Sequence, residues 1–160
     1  MQLGESFAGD GVNAAHVNTV VGPREGAVGT AWATALATPS DGHAPFVAVL
    51  QPNLPVKPFT LFVNKARIAS DAHAQLTWGA AQAGVAAGVA DALAEGLVDE
   101  GHVVIAAVWV NPGADDADAV SRNNRAATHD ALAMGVAAGP SVDDVIAARH
   151  AAWNPFFEPQ

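Results

Sequence analysis

The pattern of hydrophobic and polar positions opens with short, partly alternating stretches. Residues 2–8 and 14–21 have this character, and Gly9-Asp10-Gly11 between them is a turn signal. The pattern predicts two strands joined by a hairpin turn, with Gly22-Pro23 ending the second. The period then changes. Over residues 26–37, Val28, Ala31, Trp32, Ala35 and Leu36 recur at helical spacing, closed by Pro39 and the Ser40-Asp41-Gly42 turn. Residues 45–51 and 59–68 are rich in Val, Phe, Leu and Thr and predict two further strands. Three prolines within residues 52–58 exclude a central strand there and predict a stiff loop.

The second half reads as mostly helical. Ser70 suits the N-cap of a short helix ending near Trp78. Residues 80–97 form a second Ala/Val/Leu helix. Its Gly84 and Gly88 cost about 1 kcal/mol each against alanine, and close packing against another element is the reason to carry them. The continuous β-branched run at 103–110 predicts a buried strand. Asp115, Asp116 and Asp118 open a helix running to about Ala138, where acids complement the helix dipole. Gly139-Pro140 stops it, and Ser141 with Asp144 forms a capping box for a last short helix. The tail from Trp153 onward reads as an irregular segment with aromatic anchors. The order β-β-α-β-β-α-α-β-α-α places the chain in the α/β class, as a two-layer α+β domain. Helices are expected on one face of a mostly antiparallel sheet.

Composition narrows the function. The 160 residues are 51% hydrophobic with a net charge of −9 and no cysteine. That length and hydrophobicity support one domain, 1–160, with a buried core. The acid excess argues against nucleic acid and against an anionic membrane surface. Without cysteine there are no disulfides, thiolate zinc sites, iron–sulfur clusters or cysteine nucleophiles. No leader segment and no apolar run long enough to span a bilayer is visible, so a cytoplasmic protein is expected.

Gly9 to Ala14 matches the loose dinucleotide fingerprint G-x-G-x-x-A. That chemistry needs a following helix, whereas here a strand follows, so the match reads as a turn. No G-x-S-x-G is present, and none of the six histidines pairs with another at zinc-like spacing. His16 stands apart because it lies just after a glycine turn, and period two puts it on the same strand face as Asn18. From spacing alone it is a satisfied or half-exposed strand histidine, and it is the first candidate for a general acid. Four of the seven basic residues, Arg24, Lys57, Lys65 and Arg67, fall within the first 67 positions. They read either as solvated surface charge or as a site for a small anion.

These residues resemble the formaldehyde-activating enzyme family. The resemblance is carried by Gly9-Asp10-Gly11, Ala15-His16, Val21-Gly22-Pro23-Arg24, Pro52-Asn53-Leu54-Pro55 with Lys57-Pro58, Phe62 with Asn64-Lys65, and Gly79 with Ala81-Gln82. It implies an α/β fold like the second domain of a small-subunit ribosomal protein, with a left-handed β-α-β crossover. It also implies a homopentamer with active sites between subunits. The implied reaction condenses formaldehyde with tetrahydromethanopterin, a reduced pterin co-substrate, to the methylene adduct and water. No metal and no covalently bound cofactor is implied. By resemblance the proton donor falls on His16, and ligand-binding positions fall on Asn18, Val47, Lys65, Arg67 and Gln82.

The chain also departs from the family pattern. Asn18 replaces an aspartate, Arg67 a threonine and Val47 a leucine; Asn124-Arg125 stands where the family has aromatics around an Asn-Tyr pair, and Asn111-Pro112 replaces a His-Trp pair. These differences keep a second reading open: a non-catalytic or altered-specificity paralogue that binds another aldehyde, amine or pterin-like anion. Arg67 in particular is expected either to favour an extra anionic group or to block the pterin pocket.

Overall fold

The computed structural model describes residues 1–154. The Pro155–Gln160 part of the expected aromatic tail lies outside the described residues. The turn glycines act as expected. Gly9 and Gly11 take positive φ of 77° and 60°, and a 3₁₀ turn at Gly11–Asn13 joins β1 (Gln2–Ala8) to β2 (Ala15–Pro23) as an antiparallel pair. The fingerprint-like glycines therefore serve a turn.

The remaining strands are β3 (Phe46–Val47), β4 (Val49–Gln51), β5 (Leu54–Pro55), β6 (Phe59–Asn64) and β7 (His102–Trp109). Five of them form one sheet in the order β1-β2-β7-β6-β3, and every pairing is antiparallel except β6 with β7. Two strand expectations change. The predicted strand at 45–51 is split at Ala48, where β3 stays in the main sheet and β4 leaves to pair with β5. The proline loop thus contributes two ladder residues, turning at Asn53 with φ of 67°. The predicted strand at 59–68 stops at Asn64, whose side-chain amide donates to the carbonyls of Gly42 (2.7 Å) and Ala66 (2.8 Å). These bonds fold residues 65–68 into a loop.

Helices α1 (Ala27–Ala37), α2 (Asp71–Gln75), α3 (Gln82–Ala94), α4 (Ala117–Val136) and α5 (Val142–Ala148) complete the fold. Ser70 caps α2 by accepting from the His73 N–H, Asp116 caps α4, and Ser141 with Asp144 makes the expected capping box on α5. The two helices expected at 70–78 and 80–97 are one continuous helical run, because a π turn at Leu76–Ala81 joins α2 to α3. The physical reason is register. His73, Thr77, Ala81, Val85 and Val89 are all buried, four residues apart. Each four-residue step overshoots an α-helical turn by about 40°. One wider turn takes up the drift and keeps a single face inward.

Gly84 and Gly88 confirm the packing argument. A Cβ at Gly84 would run into the Ser121 carbonyl oxygen, and one at Gly88 would lie 2.5 Å from the Arg125 carbonyl oxygen. Helices α3 and α4 therefore touch backbone to backbone. Their shared face and the residues of β2 that point toward it (Ala15, Val17, Thr19, Val21) enclose the core, with Phe46 stacked on Phe62 at its edge.

The expectation of helices on one face is corrected at α1. Gly4, opposite Thr19, lies against Ala131 of α4. Gly22 has the opposite parity in β2, and its missing Cβ makes room for Val28 of α1, 2.7 Å away. Helix α1 therefore packs on the reverse face of the sheet. It covers the Gly22 end of that face, and His16 lies at the other end.

Candidate functional site

The strand period decides what shares the reverse face with His16. Its Cα partners are Phe7 on β1 and Trp109 on β7, while Asn18 pairs with Glu5 and Ala107. Glu5, Phe7, His16, Asn18 and Trp109 thus project from one side of three adjacent strands. Phe7 lies flat on the imidazole, with ring centroids 3.8 Å apart and planes 9° from parallel. A Glu5 carboxylate oxygen is 3.1 Å from His16 Nε2, and the Asn18 amide nitrogen is 3.4 Å from the same atom. Nδ1 has no hydrogen-bond partner among the described residues. The ring is partly buried, with 28% of its side-chain surface accessible.

His16 opens into a cleft of about 490 Å³. Its floor is the glycine turn from Gly9 to Ala15, and its walls include Phe7, Trp109, Asn111 and Trp153. Asp10 is the carboxylate on its rim. An apolar, aromatic slot with one imidazole suits a flat organic molecule more than a phosphate. Among the described residues no cluster of His, Asp and Glu is arranged to hold a metal ion.

The other expected site residues lie elsewhere in this chain. Lys65 continues β6 one residue beyond Asn64, so Trp109 stands between it and His16, about 10 Å away by strand spacing. Lys65 lines a separate cleft of about 390 Å³ with Thr38, Ser40 and His43, and His43 Nδ1 is 2.9 Å from the Asn64 carbonyl oxygen. Val47 pairs with Leu61 at the far edge of the sheet. Gln82 belongs to the core. Its Nε2 donates to the Val49 carbonyl (3.1 Å) and its Oε1 accepts from the Val49 N–H (2.6 Å), tying β4 to α3. Arg67 is exposed and bound to Asp41 at 2.6 Å. It does not line the His16 cleft of its own chain.

Two of the departures from the family pattern have structural roles. Arg125 clamps Asp91 through two hydrogen bonds of 2.6 and 2.8 Å, joining α4 to α3. The guanidinium holds the Asp91 carboxyl below the usual carboxylate range. Asn124 is buried and donates to the Val120 carbonyl at 2.8 Å within its own helix. Sequence reasoning missed Glu5, Phe7 and Trp109. Period two together with the hairpin register was the signal that could have found them, since it pairs residues 5 with 18 and 7 with 16.

Comparison with known proteins adds the family. The family model described as formaldehyde-activating enzyme matches residues 3–157. A 5,6,7,8-tetrahydromethanopterin hydro-lyase of Methanosarcina barkeri is 39% identical over 158 residues, covering 96% of this chain and 89% of that protein. Bifunctional Fae/Hps enzymes of Methanococcoides burtonii and Archaeoglobus fulgidus are 40% and 38% identical, covering 91% and 97% of this chain. The chain spans only 38% and 40% of those two longer proteins. With nearly its whole length matched by the family model and by a relative of similar size, the chain belongs to the formaldehyde-activating enzyme family.

Proposed function

We propose that this protein condenses formaldehyde with a reduced pterin of the tetrahydromethanopterin type, with His16 as general acid. One amine nitrogen of the pterin adds to the carbonyl carbon of formaldehyde, giving a carbinolamine. Protonation of its hydroxyl by the imidazolium turns the leaving group into water. The carbon–oxygen bond breaks, leaving an iminium, and the second amine nitrogen attacks that carbon to close the ring. The proton lost from this nitrogen balances the one spent. General acid help of this kind is worth roughly 10²–10⁴-fold, and holding both reactants together adds to it.

The observation that carries this reading is a histidine fixed at one ring nitrogen, with the other unpartnered among the described residues, inside an aromatic cleft. The test measures condensation with tetrahydromethanopterin against the uncatalysed rate. His16→Ala is expected to remove most of the acceleration while the protein stays folded by circular dichroism. An unchanged rate in that variant refutes the role.

The same reading extends to the assembly. We propose a homopentamer in which Lys65 and Arg67 of one protomer approach the His16 cleft of its neighbour. Their separation from His16 within one chain supports this. So do the uncovered apolar side chains Leu50 and Leu54 on the β4–β5 hairpin and Val142, Val145 and Ile146 on α5. Light scattering should return the mass of five 16.2 kDa chains, and a monomer at assay concentration would overturn it. We further propose that the β6–β7 crossover, the one parallel connection among the described residues, is the family's left-handed one. The altered-specificity reading predicts that other reduced pterins or simple diamines are condensed faster than tetrahydromethanopterin.

A further inference from the structure

We infer that Glu5 is the positioning residue of the His16 acid. It fixes the ring proton on Nε2 and leaves Nδ1 as the atom that exchanges a proton with substrate. This rests on the general-acid reading of His16 given above, and it adds which nitrogen acts and what holds it.

The argument is geometric. A carboxylate oxygen 3.1 Å from Nε2 can only accept, so Nε2 carries hydrogen in both the charged and the neutral ring. With Nε2–H present, the Asn18 amide presents its oxygen to the ring, as the second acceptor near that nitrogen; its nitrogen and oxygen are interchangeable by a flip about the terminal bond. Phe7, stacked at 3.8 Å, sets the ring plane. Plane and Nε2 direction together leave no freedom at χ2, so Nδ1 has one heading. Among the described residues it has no hydrogen-bond partner.

The fold supplies this arrangement from adjacent strands. Phe7 is directly opposite His16, and Glu5 is diagonal to it, opposite Asn18. Cross-strand neighbours of this kind are within reach for long side chains. The pairing register therefore carries the orientation, and a one-residue slip would turn Glu5 to the other face. Asp10, the other carboxylate on the cleft, lies at the rim across the glycine turn. Lys65 and His43 face the neighbouring cleft.

The experiment has two independent readouts. The first is the neutral tautomer of His16 in the full-length protein, from long-range proton–nitrogen correlations of the ring, assigned by loss of its signals in His16→Gln. The expected result is hydrogen on Nε2, with Glu5→Gln shifting the ring toward a mixture of tautomers. The second is kinetic. Glu5→Gln should lower kcat about tenfold or more while KM stays within about twofold, since Glu5 acts through the ring and not on substrate. Adding Asn18→Asp to Glu5→Gln places a carboxylate beside the same nitrogen and should restore kcat. A merely structural Glu5 would not be rescued in this way.

Hydrogen on Nδ1 in the parent protein overturns the inference, whatever the activity. So does full kcat in Glu5→Gln when His16→Ala is inactive; that outcome leaves the general-acid reading standing. If His16→Ala itself keeps the full rate, the general-acid reading fails and the catalytic part of this inference falls with it. The tautomer then still decides whether Glu5 orients the ring.

Discussion

At the residue scale, the candidate site is defined by groups that have little in common in sequence. His16 is visible as a strand histidine after a turn, but nothing at positions 5 and 7 marks them as its companions until the strands pair. The surroundings of Gln82 are likewise visible only in the fold. Its side chain is spent on both backbone groups of Val49, so replacing it should first loosen the β4–α3 contact. Trp153 is the side chain whose contribution is most readily separated from folding. It lines the cleft while remaining well exposed, so its removal leaves no core cavity. On the proposed function, Trp153→Ala should raise KM for the reduced pterin about 3- to 10-fold, the worth of one aromatic contact, with kcat little changed. Initial rates over a range of pterin concentration check this.

At the element scale, the glycines of α3 announce a close approach, and the structure makes α4 the partner. Alanine at position 84 would gain about 1 kcal/mol of helix propensity. Its methyl group would meet a backbone oxygen of α4, which cannot move without shifting the helix. Overpacking costs about 1–3 kcal/mol, and a backbone obstacle puts this case at the upper end. Gly84→Ala should therefore destabilise by about 2 kcal/mol net in urea unfolding, against the direction propensity alone predicts. The π turn was not foreseen. The sequence predicts two helices, one ending near Trp78 and one over 80–97, whereas the buried positions from His73 to Val89 recur every four residues along one continuous face.

At the scale of the whole molecule, charge on the outer side of the helix pair carries a pH dependence separate from the site. His129 is raised above the ordinary imidazole value of 6.5, first by its hydrogen bond to Glu95 at 2.9 Å and then by Asp130 at 3.2 Å. A raised folded-state value means the stabilisation is complete below about pH 6.5 and is lost as pH rises through the folded value. His129→Gln should therefore lower the denaturation midpoint at pH 5.5 and leave it nearly unchanged at pH 8.5. Equal losses at both pH values would show that the contact acts through packing instead. No helix among the described residues is long and apolar enough to cross a membrane.

What the sequence by itself determined was local. Turn glycines, caps and the class of each long element all follow from chemistry within a few residues of one another, as does the expectation that Gly84 and Gly88 mark a close approach, though not to which partner. Periodicity, backbone conformation and capping are short-range properties. The family was also legible, because short motifs in a fixed order survive divergence. Only the tertiary structure decided that β4 leaves the sheet, that α1 crosses to the reverse face and that Glu5 meets His16. Each depends on which strand lies beside which and in what register. That choice is made by burying one face of the whole sheet, where hydrophobic area outweighs any local preference.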